Sequence, residues 1–344
     1  MIDLKRIYKQ VRNTIENVNF SDLWPGFKRF DFALYNDDIV ILDGQLVPKT
    51  DDFLGNTSIL YDGKYIAIWR LTTEIDKYVL ASKIIHEMFH AYQMEMHESR
   101  FPNEIEALWQ YKYSPDYLQI KYEENLLLAE LTVEFNTEKL KSFLQYRKFR
   151  QCNYTYEYNY ENSVEAIEGS ATYVELQALK MFNEEKYLQR LHGMLDNISN
   201  LGNLIPMRII CYDTGALFLN LCMENSLSLD LTVGIASEIF YSKLIEDTAC
   251  KNISIKVSPE IKKFYQEDQR NFRKKIELIT SHCNEVIKGN FELLGVNVYS
   301  ARFLDGYIYS EYFIMYKDAE PKILYGDYLA KIENHMITEI YKEP

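Results

Sequence analysis

No segment of this chain approaches the roughly 18–20 uncharged apolar residues that a membrane span requires, and nowhere do Lys and Arg gather into a cluster. The first absence argues against a membrane-spanning helix. The second, with 38 basic residues against 51 acidic ones and a formal charge of −13, argues against a surface that tracks phosphates, so nucleic acid is not an expected partner. Cysteine is scarce and badly placed for bonding. Cys152, Cys211, Cys222, Cys250 and Cys283 are odd in number, widely scattered and without a C-x-x-C pair, which argues against a disulfide framework and a thiolate zinc site. The opening stretch MIDLKRIYKQVRNTIENVNF lacks the continuous apolar core of a secretory signal. A cytoplasmic protein is expected. Repeats, low-complexity segments and Pro/Gly/Ser-rich linkers are also missing, so domain junctions should be packed rather than tethered.

What is present is an ordinary globular balance, 47% apolar and 26% charged over 344 residues, enough for one large domain or two to three small ones. Residues 1–22 read as an amphipathic helix. The run RFDFALYNDDIVILDGQLV places two apolar stretches around Asn36-Asp37-Asp38, a hairpin pattern. In SILYDGKYIAIWRL the Asp62-Gly63 pair marks a second hairpin, because its tight turn needs positive φ. From Thr73, a candidate N-cap, the period becomes helical. Further helices are expected over 118–150, 162–183, 206–225, 230–245 and 258–285. After Gly289 strands return, with turns at Asp305-Gly306 and Pro321. The expected fold class is α+β: an N-terminal helix and hairpins over 1–72, a helical domain over 73–288, and a C-terminal antiparallel β module over 289–344.

Within the first of these helices lies KIIHEMFHAYQ, with His86 and His90 four residues apart and Glu87 beside the first. Residues i and i+4 of an α-helix are about 400° apart around the axis and roughly 6 Å apart along it, so both imidazoles project from one face. Two such nitrogens can chelate one metal ion, and zinc suits imidazole donors. Glu87, about 100° further round, is placed to accept a proton from a metal-bound water. This is the H-E-x-x-H pattern.

HEMFH resembles the active-site helix of zincin metallopeptidases. The metzincin extension H-x-x-G-x-x-H is not met, since Gln93 stands at the glycine position and Met96 where its third histidine belongs. The segment Glu168-Gly169-Ser170-Ala171-Thr172-Tyr173 instead resembles the E-G-x-A-x-Y pattern of gluzincins, which implies Glu168 as third ligand. A glycine after that ligand would let its helix approach the histidine helix closely. Glu165, one turn earlier, Glu130 and Glu134 in AELTVE, and Glu104 in NEIEAL are the competing carboxylates. CYDTGALFLNL is similar to the Y-x-x-G-A-x-F segment of several gluzincins, which implies Tyr212 as hydrogen-bond donor to a developing oxyanion, worth a few kcal/mol in a dry site. The resemblance spans roughly residues 65–225. It implies a peptidase holding one Zn2+ per chain and acting on a peptide or protein; the predicted strand Tyr65–Trp69 is expected to line the cleft and pair with an extended substrate, as edge strands do. A zincin fold that binds metal without catalysis, or one that hydrolyses a non-peptide bond, is the alternative.

Overall fold

The computed structural model describes residues 3–235, 238–283 and 285–343; the ends of predicted segments at 1–2, 284 and 344, and positions 236–237, lie outside the described residues. Helix α1 (Leu4–Ile15) buries Leu4, Ile7, Tyr8, Val11 and Ile15 at helical spacing and starts where Asp3 accepts a hydrogen bond from the Arg6 amide at 3.0 Å. A short turn of helix, α2 (Phe20–Leu23), leads to a five-stranded sheet of β1 (Asp31–Tyr35), β2 (Ile39–Leu42), β3 (Gln45–Pro48), β4 (Thr57–Tyr61) and β5 (Lys64–Arg70). Its order is β3-β2-β1-β5-β4, antiparallel except for the parallel pair β1/β5. Both expected hairpins form, and Asp62 and Gly63 adopt φ of 48° and 76°. Side chains alternate cleanly: Phe32, Leu34 and Ala67 enter the main core, while Ala33, Tyr35, Ile66 and Ile68 pack on Phe53 at the opposite face.

Helix α3 (Lys77–Glu95) lies against this sheet. Its cap is Asp76, not Thr73: the Asp76 carboxylate accepts from the Tyr78 and Val79 amides at 2.9 and 3.2 Å, the first free donors of the helix. The helical body continues with α4 (Glu104–Gln110), α5 (Pro115–Val133), α6 (Thr137–Asn153), α7 (Thr155–Val164), α8 (Ser170–Phe182), α9 (Glu184–Ser199), α10 (Met207–Glu224), α11 (Ser242–Glu246) and α12 (Pro259–His282). The helix expected over 118–150 is two helices, because Asn136 leaves helical geometry and caps α6 on the Glu138 and Lys139 amides. Of the helix expected over 230–245, only α11 is present among the described residues. Gly234 takes a φ of 140°, incompatible with a helix, and the Asp230 amide donates to the Phe240 carbonyl at 2.9 Å. Among the described residues no helix is long and apolar enough to cross a membrane.

The C-terminal sheet begins at Val286, three residues ahead of the expected boundary. It comprises β6 (Val286–Val296), β7 (Arg302–Leu304), β8 (Tyr307–Ser310), β9 (Phe313–Lys317), β10 (Pro321–Tyr325), β11 (Tyr328–Glu333) and β12 (Met336–Lys342), in the order β10-β9-β6-β12-β11-β8-β7 with antiparallel neighbours throughout. One face packs on Ile105, Leu108 and Trp109 of α4, the other on Phe272, Ile276 and Ile279 of α12. The sheet is therefore clamped between two helices of the preceding body. The architecture is α+β, as expected.

Beneath α5, α6 and α7 lies a buried ionic cluster. Lys121, Arg147 and Arg150 face Glu124, Glu161 and Glu165, all of them 0–1% exposed, so charges balance without water. Burial alone would raise the Glu161 carboxyl, but Arg150, Lys121 and hydrogen bonds from Tyr111 and Tyr117 outweigh it and hold it at about 2. A carboxyl depressed in the folded state stabilises above its unfolded value of about 4.3 and loses that contribution as pH falls toward 2. Glu161 should thus contribute about 3 kcal/mol at neutral pH, with roughly half gone by about pH 3. Urea unfolding measured between pH 6 and 3 checks this; Glu161→Gln should flatten the acid limb, and an equally steep one in that variant would refute the assignment.

Candidate metal centre

His86 and His90 sit on one face of α3, with ring centroids 4.8 Å apart and Nε2 atoms 3.1 Å apart. The Glu168 Oε2 atom lies 3.8 Å from the first Nε2 and 3.3 Å from the second. Donors bound at about 2.1 Å to a tetrahedral ion stand about 3.4 Å from one another. The three atoms match that spacing, and no other group of three such residues converges in this way among the described residues.

Glu168 reaches this place through a wide π turn at residues 165–169, joining α7 to α8. The widened turn puts Glu165 and Glu168 on different sides. Glu165 points into the ionic cluster, where Arg147 donates to it at 2.7 and 2.8 Å and Thr214 at 2.7 Å. It is not a ligand candidate. Gly169 serves a different approach from the one expected: a Cβ there would stand 2.8 Å from the Cα of Gly215. The glycine brings α10, not the histidine helix, against the turn, and α10 carries Arg208 and Tyr212. Glu130 instead pairs with Lys139 at 2.9 Å on the surface, and Glu134 is exposed. Glu104 accepts from the Arg208 Nε at 2.7 Å and from Tyr160 at 2.9 Å.

A second layer orients the donors. Gln93 spends its amide hydrogens on the Ile167 carbonyl and the Ser170 hydroxyl, so its oxygen faces His90 Nδ1 at 2.8 Å. Nδ1 then carries the proton and Nε2 keeps its lone pair for the donor triangle. Glu175 places a carboxylate 3.3 Å from His86 Nδ1 without a well-aligned hydrogen bond, so that buried nitrogen remains unsatisfied. Arg208 donates to Glu168 Oε1 at 3.1 Å.

Carboxylates dominate the local field. Burial alone would lower the His86 imidazole, but Glu168, Glu175 and Glu87 outweigh it and raise it to about 10. Burial would lift Glu168, yet His90, His86 and Arg208 hold it well below the usual range. Glu87, 7% exposed, is pushed up by burial and by the neighbouring Glu168 and Glu175 carboxylates, against the pull of both histidines. A donor set that favours an added positive charge in this way fits a divalent cation.

His86 and Glu87 open onto a cleft of about 220 Å³, also lined by Asn56, Trp69, Tyr212 and Tyr299. Tyr212 accepts from Arg208 Nη1, and its hydroxyl is 3.1 Å from that of Tyr299. Strand Tyr65–Trp69 cannot pair with a substrate as expected: β5 is hydrogen-bonded on both sides, to β1 and β4, and the edge strands of this sheet are β3 and, next to β5, β4. Sequence reasoning overlooked Gln93, Glu175, Arg208 and Tyr299. The first three lie at helical spacing from recognised residues, three after His90, seven after Glu168 and four before Tyr212, and that spacing was their available signal. Tyr299, in the turn between β6 and β7, had none. In comparisons with known proteins, the chain matches no family model, no curated protein and no solved structure.

Proposed function

We propose that the chain is a zinc-dependent peptidase of gluzincin type, with His86, His90 and Glu168 as ligands. The observation that carries this reading is the convergence of the three donor atoms, 3.1–3.8 Å apart, from α3 and the π turn before α8. When bound, zinc supplies Lewis acidity toward a water and toward the scissile carbonyl. Glu87, in the same cleft, takes the proton of the attacking water and delivers it to the leaving amine, a role its burial beside Glu168 and Glu175, which raises its affinity for a proton, favours. Tyr212 donates to the oxygen on which negative charge develops. The open edge of β4 offers an extended peptide main-chain hydrogen bonds.

Metal analysis should return one zinc per chain together with cleavage in a mixed peptide library. Glu168→Ala should weaken zinc retention on the order of 100-fold, since two imidazoles alone leave the ion underliganded. Competition with a chelator measures it. Undiminished retention would overturn the ligand set.

A further inference from the structure

Among the described residues, the C-terminal module reaches the cleft at one side chain. Tyr299 stands in the connection between β6 and β7, where the backbone is held from several directions. The Asn297 side chain accepts from the Tyr299 amide at 3.2 Å, and the Asn297 carbonyl accepts from Ser300 and Ala301 at 3.1 and 2.8 Å. The Ser310 hydroxyl accepts from the Asn297 amide, and the Ser300 hydroxyl from the Glu311 amide, each at 3.0 Å. This turn is not a loose loop. It presents a tyrosine that is 54% exposed, yet whose hydroxyl meets that of Tyr212 at 3.1 Å inside the cleft shared with His86 and Glu87.

A phenol has one hydrogen to donate and two lone pairs to accept with. Arg208 Nη1 has no lone pair, so toward it the Tyr212 oxygen can only accept. If Tyr299 donates into the second lone pair, both acceptor positions of Tyr212 are filled. Its own hydrogen must then point elsewhere, into the cleft. Resting on the peptidase reading above, we propose that Tyr299 is a positioning residue: by donating to Tyr212 it turns the Tyr212 hydroxyl toward the substrate carbonyl, and the C-terminal sheet thereby becomes part of the active site.

The test is a double-mutant cycle on the zinc-loaded full chain with Tyr212→Phe, Tyr299→Phe and the pair. Turnover of a cleaved library peptide is one readout; calorimetric affinity for a phosphoramidate dipeptide, whose tetrahedral anion mimics the reacting carbonyl, is the other. Tyr299→Phe should lower kcat about 10-fold with KM within about twofold, and weaken phosphoramidate binding by a similar factor. Tyr212→Phe should cost more, and the double variant no more than Tyr212→Phe alone, because without the Tyr212 hydroxyl there is nothing left to orient. Wild-type values in Tyr299→Phe, or a double variant that loses the product of both single effects, would overturn the proposal while leaving the peptidase reading intact. A parent chain that neither cleaves peptides nor binds the phosphoramidate would overturn both.

Discussion

Glu87→Gln should lower kcat by about 10³-fold while the protein keeps one zinc per chain, because a positioned general base contributes roughly 10²–10⁴-fold. The amide keeps the size and shape of the carboxylate but accepts no proton at any working pH. The side chain is 7% exposed, close to two histidines and two further carboxylates, so an isosteric change disturbs packing little. Glu87 is also not one of the three converging donors, which is why metal content and turnover should part company. Kinetics on a cleaved peptide and metal analysis on the same preparation provide the measurement. A variant as active as its parent would remove Glu87 from the mechanism, and one that loses zinc along with activity would make it a ligand instead.

The largest effect on stability is expected far from the cleft. Arg150→Ala should destabilise the fold by about 3–5 kcal/mol, the usual range for removing one partner of a buried ion pair. Arg150 donates to Glu124 at 2.7 and 2.9 Å and to Glu161 at 2.6 Å, and all three are fully buried. Its loss strands carboxylates that burial alone would drive toward the neutral form. Lys121 and Arg147 remain, but Lys121 stands 3.5 Å from Glu124 and 3.1 Å from Glu161, and Arg147, whose Nε is 3.1 Å from Glu124, also serves Glu165 at 2.7 Å, so neither replaces the paired contacts that Arg150 makes. Urea unfolding at pH 7 reads the loss directly; a change under about 1 kcal/mol would show that the cluster relaxes or admits water. The same cluster supports the π turn through Glu165, so metal retention should weaken in this variant as well.

How far the site was legible depends on how each residue is placed. Two histidines on one helical turn are a local matter, fixed by 3.6 residues per turn, and their shared face needed only the sequence HEMFH. Glu168 was singled out by its EG context, but its separation from Glu165 required the π turn, and an extra residue in a helical turn leaves no trace in hydrophobic periodicity. Gly169 was understood as a close-approach residue but assigned to the wrong partner, because a glycine shows that something comes near without showing what. The helix expected over 230–245 followed apolar spacing that tertiary contacts overrode: the Trp24 indole donates to the Leu231 carbonyl at 3.0 Å, and Gly234 turns the chain out of helical space.

What the sequence by itself determined is everything governed by neighbours a few residues apart: the α+β class, the hairpins at Asp62-Gly63 and Asp305-Gly306, and the pairing of His86 with His90 on one face. Only the tertiary structure decided which carboxylate meets the histidines, that β4 rather than β5 has an open edge, and that Tyr299, 87 residues beyond Tyr212, shares its hydrogen bond. The reason is physical. Dihedral preferences and side-chain periods act over a single turn, whereas the meeting of distant segments is set by how whole elements bury their apolar faces together.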